Sequence, residues 1–211
     1  MVIKKQNSEQ KIRKYNLKIK TKIKPDIRFL HDMKEVLYDK EWAKKTPNFE
    51  VYYMYRSVKE KDGLRYDITV TSPRMLGKEF SKTLGHEHSF DYGELYIVLE
   101  GKAIFLFQKY KNNKIEDVCT VKANKGNAVI IPPHYGHIMI NPSKNKRLKT
   151  ANWSNKNCRN IYNSIIKKQR GACYYYTKSG WIKNKKYSKI PKLKFKKPLK
   201  KLPKNLDFLK T

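Results

Sequence analysis

The chain has 211 residues, of which 39% are hydrophobic and 32% charged, and these values exclude collagen-like and disulfide-scaffold proteins. Its 49 lysines and arginines against 18 aspartates and glutamates give a formal net charge of +31, which favours polyanions, anionic membrane surfaces or phosphorylated small molecules as partners. Three cysteines without C-x-x-C spacing indicate a reducing compartment, so a cytoplasmic protein is expected, and no apolar run predicts a membrane span.

The positive charge divides the chain into three parts. Residues 1–24 carry +8 and residues 178–211 carry +12, whereas the much longer middle part, 25–177, carries +11. We therefore predict a basic N-terminal extension, a folded domain over 25–177 and a basic C-terminal extension. In the last part three prolines interrupt alternating apolar and basic residues, which predicts an extended arm or an edge strand rather than a helix. Both a solvated arm and an arm that binds nucleic acid nonspecifically are compatible with this composition.

Short segments rich in Val, Ile, Tyr and Phe follow one another through the middle part, separated by turn residues. The predicted strands are 48–57, 64–71, 94–100, 102–108, 128–131 and 137–141. Many short strands without long helical patterns between them predict an all-β fold, a small antiparallel barrel or sandwich. Short helices are expected over 32–38, with Asp32 as the cap, and over 161–168.

Three of the five histidines lie next to two of these strands. His86 and His88 come shortly before strand 94–100, and His137 opens the last strand. Residues i and i+2 share one face of a strand, so His86 and His88 can point into one barrel, and Glu94 has the same parity. Three imidazoles and a carboxylate suit a divalent first-row metal and leave positions open for substrate oxygens. These residues predict a metal site, with a chance His-x-His in a loop as the alternative.

The spacing around these residues resembles the two motifs of the cupin superfamily. The matching positions are His86, His88, Glu94 and Gly101 in the first motif and Gly126, Pro132, His137 and Asn141 in the second. The resemblance implies a small jelly-roll-like barrel whose metal ligands are His86, His88, Glu94 and His137. Two positions depart from the motifs. The gap before Glu94 is longer, which predicts a widened turn at 91–93, and His134 replaces a glycine. We expect His134 to point outward, with a role as a competing ligand as the alternative.

Among cupins, residues 28–165 resemble the archaeal-type glucose-6-phosphate isomerases, most specifically in the block from Gly77 to Gly101 with its T-L-G-H-E-H sequence. This resemblance implies reversible conversion of glucose 6-phosphate to fructose 6-phosphate through an enediolate, in glycolysis and gluconeogenesis. It also implies one divalent metal ion per subunit and commonly a homodimer. Iron is the first expectation for the metal, and manganese, nickel or zinc are alternatives.

The same resemblance assigns roles to individual residues. Glu94 is expected to act as the base as well as a ligand, although a hydride shift stays possible. Independently of the resemblance, Tyr96 lies two residues after Glu94 and can face the same interior, where its phenol is expected to orient a sugar hydroxyl or a proton relay, with ordinary strand packing as the alternative. The expected substrate-binding residues are Thr69, Thr83, Gly85, Tyr96, Tyr53 and Tyr162, with threonine hydroxyls and backbone amides holding the phosphate.

One family feature is missing from this chain. Near residues 160–164 the family has a histidine that can assist ring opening, but this chain has no histidine after His137. Lys156 and Arg159 are candidate substitutes, and the alternatives are that the ring opens without help from the enzyme or that activity is weakened. Two other functions stay as alternatives: an iron-dependent cupin dioxygenase with the same ligands, and a non-enzymic basic cupin that binds nucleic acid or another polyanion.

Overall fold

The computed structural model describes residues 18–112, 114–168 and 171–210. These residues are mostly β structure. In chain order the strands are β1 Asp26–Phe29, β2 Glu50–Lys61, β3 Leu64–Thr71, β4 Met75–Leu76, β5 Glu79–Phe80, β6 Glu87–His88, β7 Glu94–Glu100, β8 Lys102–Lys111, β9 Lys114–Asn124, β10 Ala128–Ile131, β11 Gly136–Ile140, β12 Leu148–Asn155, β13 Asn160–Ile161, β14 Tyr174–Thr177, β15 Gly180–Lys183 and β16 Lys194–Lys196.

Two sheets form the body of the molecule. The larger has six strands in the order β1-β2-β3-β12-β7-β10, and the second has four in the order β11-β8-β9-β16. Strand β16 runs parallel to β9, and the other neighbours in both sheets are antiparallel. Two smaller sheets pair β6 with β13 and join β15-β14-β5-β4. Among the described residues the predicted all-β class with mainly antiparallel strands is confirmed, as two main sheets rather than one closed barrel.

An apolar layer lies between the two main sheets. Val98 and Val129 of the six-stranded sheet pack with Phe105, Val121 and Met139 of the four-stranded sheet, and each is at most 3% exposed. Because side chains alternate along a strand, this layer determines which residues of β7 and β12 look inward. Glu94 and Tyr96 share the inner face of β7 with Val98, so they reach the space between the sheets.

All six predicted strands are present, and three of them, β3, β7 and β10, have the predicted bounds. Strands β9 and β12 were not predicted. Strand β12 reads L-K-T-A-N-W-S-N, and its buried residues Thr150, Asn152 and Ser154 are polar where a core-facing strand normally carries apolar side chains. The polar face of β12 borders the site described below.

The helix predictions need correction. The predicted helix over 32–38 is a 3-10 helix, Leu30–Val36, and Asp32 lies inside it rather than at its cap. The Asp32 carboxylate accepts a hydrogen bond from the Phe29 backbone N–H at 2.9 Å. The prediction over 161–168 fails at its start because Ile161 belongs to β13, and the π-helical turn Ser164–Lys168 follows. A short helix that was not predicted, α1, covers Lys40–Lys45.

The C-terminal residues run along the main sheets. Beyond β16, Leu199 and Ala128 exchange two backbone hydrogen bonds of 2.8 and 2.9 Å, and Leu209 is fully buried. The predicted boundary at 177/178 falls inside the β14–β15 hairpin, and the division into three parts stays a prediction. Most of the predicted N-terminal extension, residues 1–17, lies outside the described residues. In the described part of the chain, no helix has the length and apolarity that a membrane crossing requires.

Candidate metal centre

Four side chains from both main sheets and the segment between β5 and β7 meet in one cluster. They are His86, His88, Glu94 and His137, and their ligand atoms all lie within 4.8 Å of one another. Glu94 opens β7, and His137 is the second residue of β11. His86 is held against His137 by two backbone hydrogen bonds of 3.0 and 3.2 Å. The structure therefore brings together the four residues that the sequence predicted as ligands.

Several buried polar atoms of the cluster lie close together but have no hydrogen-bond partner. The Nε2 atoms of His137 and His88 lie 3.0 and 3.3 Å from Oε2 of Glu94. That Oε2 atom and the Nε2 atoms of His86 and His88 are buried and have no hydrogen-bond partner. Unpartnered buried polar atoms are costly, so several directed at one point call for a shared cation. Three imidazole nitrogens and a carboxylate oxygen fit a divalent transition metal.

A second layer of contacts orients three of the four ligands. Nδ1 of His88 lies 3.0 Å from the Tyr92 carbonyl oxygen, and Nδ1 of His137 lies 3.4 Å from the Tyr135 carbonyl oxygen. An Nδ1–H that donates to a carbonyl leaves Nε2 as the lone-pair donor. The Asn152 Nδ2–H donates to Oε1 of Glu94 at 2.6 Å, which leaves Oε2 directed at the histidines. The sequence analysis missed Asn152 because it missed β12.

The charge states of the cluster suit ligation. Burial works to raise the pKa of Glu94, but the contacts with His137 and His88 outweigh it and hold that pKa well below its usual range. Burial and the neighbouring His137 hold the pKa of His86 well below its usual value. Burial also works to lower the pKa of His88, but Glu94 and the Tyr92 carbonyl raise it overall. Glu94 is thus ionised and His86 neutral, as ligands must be.

The two departures from the cupin motifs are accommodated outside the cluster. The longer segment before Glu94 turns at Ser89–Asp91, with Phe90 at a positive φ of 57°. His134 points outward, since 61% of its side chain is exposed and its Nε2 lies 3.3 Å from Oδ1 of Asp91. His134 therefore lies away from the four ligands.

Tyr96 lies beside the ligands. Its hydroxyl is 3.4 Å from Nε2 of His137, and its ring packs 5.1 Å from that of Phe105. Burial and the nearby Glu94 carboxylate raise the pKa of Tyr96 well above its usual value, so the phenol keeps its proton. Tyr96 can therefore donate a hydrogen bond into the cluster.

Three of the predicted substrate-binding residues, Tyr162, Thr69 and Thr83, have different surroundings. The Tyr162 ring lies 5.7 Å from that of His86. Thr69 is buried on β3 opposite Thr150, on the sheet face that also carries Asn152. Thr83 accepts a hydrogen bond on Oγ1 from the Met139 N–H at 3.0 Å.

Gly85 is required by its backbone conformation and by close packing. Its φ is +89°, a region that L side chains rarely adopt. A Cβ at this position would lie 2.6 Å from the Ile138 side chain. Glycine therefore lets the segment that carries His86 pack directly on β11.

Tyr53 does not reach the site, which corrects that prediction. It is buried with Tyr55, Ile68, Val70 and Ala151, on the opposite face of the six-stranded sheet from Asn152. Its neighbour Tyr52 has the inward position, and the Tyr52 hydroxyl accepts a hydrogen bond from the Leu84 N–H at 3.2 Å. Neighbouring residues of a strand point to opposite faces of the sheet, so an error of one position was enough to choose Tyr53 in place of Tyr52.

An open pocket of about 650 Å³ adjoins the cluster, and the sequence analysis missed most of the residues that line it. Four arginines contribute: Arg28, Arg56, Arg65 and Arg159. Tyr162 also lines the pocket, and its hydroxyl accepts hydrogen bonds from Arg56 at 3.3 Å and from Asn160 at 3.5 Å. Arginines in strands carry no sequence signal that marks a pocket, so only the fold could bring them together.

Comparisons with known proteins identify the family of this chain. The model of the glucose-6-phosphate isomerase (GPI) family matches residues 27–192. Glucose-6-phosphate isomerases of Thermococcus litoralis and Pyrococcus furiosus are each 34% identical over 125 residues, which cover 56% of this chain and 63% and 64% of those proteins. A cupin superfamily protein from Desulfitobacterium hafniense superposes with a TM-score of 0.32 at 12% identity, over 48% of this chain and 74% of that one. That structural likeness is too weak to support an argument. The match to the family model extends over most of the chain, which therefore belongs to the glucose-6-phosphate isomerase (GPI) family.

Proposed function

We propose that this chain is a metal-dependent isomerase that interconverts glucose 6-phosphate and fructose 6-phosphate, a reaction of glycolysis and gluconeogenesis. The observation that carries the proposal is the buried cluster of His86, His88, Glu94 and His137 in a member of this family. The aligned region covers less than two thirds of the curated relatives, so the activity is proposed on the site together with the family.

The proposed cofactor is one divalent metal ion per subunit, with iron first and manganese, nickel or zinc as alternatives. His86, His88, Glu94 and His137 would hold it. Bound there, the ion would act as a Lewis acid that polarises the substrate carbonyl. The unpartnered Nε2 and Oε2 atoms support this assignment.

The proton transfer is proposed to involve Glu94. Its Oε2 would take the proton from the hydroxyl-bearing carbon next to the carbonyl, which gives an enediolate, and would return it to the former carbonyl carbon, while the hydroxyl proton moves between the two substrate oxygens. Asn152 holds the other carboxylate oxygen, which keeps Oε2 in a fixed direction. The low pKa of Glu94 makes it a weak base, so a hydride shift stays the alternative. Tyr96 would donate a hydrogen bond to a sugar hydroxyl.

The phosphate is proposed to contact Thr69, Thr83 and the backbone at Gly85. Tyr162, whose ring lies 5.7 Å from that of His86, is proposed to contact the substrate as well. Thr83 uses an Oγ1 lone pair for the Met139 N–H, which leaves its own hydroxyl hydrogen to donate. Thr83→Val should therefore raise KM for the sugar phosphate with little change in kcat. Thr120→Val is the matched control, since Thr120 is buried on β9 and donates to the Phe105 carbonyl. An unchanged KM in Thr83→Val would reject the phosphate role.

Assembly and location are proposed on the family resemblance and on the cysteines. A homodimer follows from the resemblance, and sedimentation equilibrium tests it. A cytoplasmic location is supported by three cysteines that are buried and free, as is usual in a reducing compartment. Nonspecific attraction of nucleic acid follows from the charge of +31 and should disappear well below about 150 mM salt.

The experiment that tests the function is a coupled assay of fructose 6-phosphate conversion on protein stripped with EDTA. Iron, manganese, nickel and zinc are added back separately, and activity should return with at least one of them. His88→Ala should lose both metal and activity, whereas His134→Ala, which removes an exposed histidine outside the cluster, should keep both. Folded, metal-loaded protein that is inactive with every metal would reject the isomerase function.

A further inference from the structure

Arg28 lies on β1 and lines the pocket next to the metal ligands. Its Nε atom is buried and has no hydrogen-bond partner. Among the residues that the structure describes, no carboxylate forms an ion pair with its guanidinium group. A guanidinium stays protonated at every physiological pH, so Arg28 brings a full positive charge to the pocket.

Two neighbouring arginines differ from Arg28 because their charge is compensated. Arg56 Nη1 donates to Oδ2 of Asp67 at 3.0 Å, and Arg65 Nε lies 3.3 Å from the same oxygen. Asp67 is only 1% exposed, and Asp26 lies 3.8 Å from Arg56 as well. The two pairs share Asp67. Arg159, the fourth arginine of the pocket, is exposed, so among the described residues Arg28 is the partly buried arginine of this group without an ion pair.

Tyr162 connects Arg28 with the metal ligands. The Tyr162 ring centroid lies 5.7 Å from that of His86 on one side and 5.5 Å from Cζ of Arg28 on the other. The Tyr162 ring thus lies between two chemically different groups, the His/Glu cluster on one side and, on the other, the guanidinium of Arg28, which forms no ion pair with a described residue. A ligand that fits has oxygens for a metal at one end and an anionic group at the other.

We propose that Arg28 is the principal cation that binds the phosphoryl group of the substrate in this protein. The threonine hydroxyls and backbone amides assigned above carry no net charge, whereas a phosphate dianion that leaves bulk water is stabilised by a cation. A planar guanidinium can donate two parallel hydrogen bonds to phosphate oxygens. The identity of the ligand as a sugar phosphate rests on the proposed function, but the binding of phosphate does not.

The test compares Arg28→Met with Arg74→Met. Arg74 is the matched control because it also lies over an aromatic ring, with Cζ 4.6 Å from the Phe49 centroid, and does not line the pocket. Arg28→Met should raise KM for fructose 6-phosphate by about ten- to a hundredfold, the usual cost of a charge-assisted hydrogen bond. Arg74→Met should leave KM within about twofold, as is usual away from a binding site.

A second measurement does not depend on activity. Inorganic phosphate is titrated at constant ionic strength, and the thermal midpoint is followed in the metal-loaded protein. Phosphate should raise the midpoint of the parent and of Arg74→Met, and this rise should be lost in Arg28→Met. If Arg28→Met fails to fold, Arg28→Lys replaces it. It keeps the charge but not the two-pronged geometry, so it should show a smaller loss of phosphate stabilisation and a smaller rise in KM.

The outcomes separate this inference from the proposed function. Phosphate stabilisation that depends on Arg28 in a protein without isomerase activity would leave the phosphate site standing and reject the isomerase. Phosphate stabilisation and KM that are the same in the Arg28 and Arg74 variants would overturn the assignment of Arg28, even in an active isomerase.

Discussion

Asn152 should control metal affinity although it is not a ligand. It is 3% exposed, and its Nδ2–H donates to Oε1 of Glu94 at 2.6 Å. Asn152→Leu keeps the approximate shape and removes the donor, so an ionised carboxylate oxygen loses its partner. A hydrogen bond to a charged group contributes about 1.5–3 kcal/mol, which corresponds to roughly ten- to a hundredfold in metal affinity. The usual effect of losing a residue that orients a metal ligand has the same size, about 10- to 100-fold.

The assay is a competition titration of Mn²⁺ between the protein and a chelator, with isomerase activity measured at limiting and at excess metal. Asn155→Leu is the control, because Asn155 lies on the same strand but donates to the Lys210 carbonyl oxygen. Asn152→Leu should bind the metal more weakly, and excess metal should restore part of its activity. Unchanged affinity in Asn152→Leu, or an equal loss in both variants, would refute the argument.

Three other predictions follow from buried or paired groups. Lys82 and Glu79 form a 2.7 Å ion pair, with their side chains at most 2% exposed, so Lys82→Met should lower the free energy of unfolding by about 3–5 kcal/mol in a urea titration. The double variant with Glu79→Leu should lose less, and an equal or larger loss would contradict this. The hydrogen bonds from Lys194 and Tyr135 outweigh burial and lower the pKa of Asp117. Its stabilising effect is therefore present above about pH 4 and lost as pH falls through its lowered pKa, so amide exchange in β16 should accelerate there, but not in Asp117→Asn. Burial raises the pKa of the thiols of Cys119, Cys158 and Cys173 to about 11 or 12. Ellman's reagent at pH 8 should therefore label these three thiols only after unfolding. Labelling of the native protein would contradict their burial.

The four residues of the proposed metal site were predictable because strand parity is a local property. Glu94, Tyr96 and Val98 share one face of β7 through simple alternation, and the spacing of His86 and His88 gave them one parity. The segment between His88 and Glu94 contains a turn with a positive φ at Phe90. Alternation alone therefore did not guarantee that Glu94 would point to the same side as His86 and His88. The resemblance to the family supplied that step.

The residues around the ligands were not predictable, because tertiary structure brings them together. Asn152 lies on a strand whose inward face is polar, and a polar inward face hides a strand from pattern analysis. Arg28 meets Tyr162 only because β1 and the chain after β13 lie on the same pocket. Tyr53 was chosen over Tyr52 because no local signal distinguishes the two faces of a strand that is buried on both sides.

The most direct test of the account is a titration of metal into the metal-free protein, with bound metal and isomerase activity measured on the same samples. Activity should be absent at the start, rise in proportion to bound metal and saturate at one ion per chain. His88→Ala should neither bind the ion tightly nor gain activity. Isomerase activity before any metal is added, or one bound ion per chain in His88→Ala, would contradict the account.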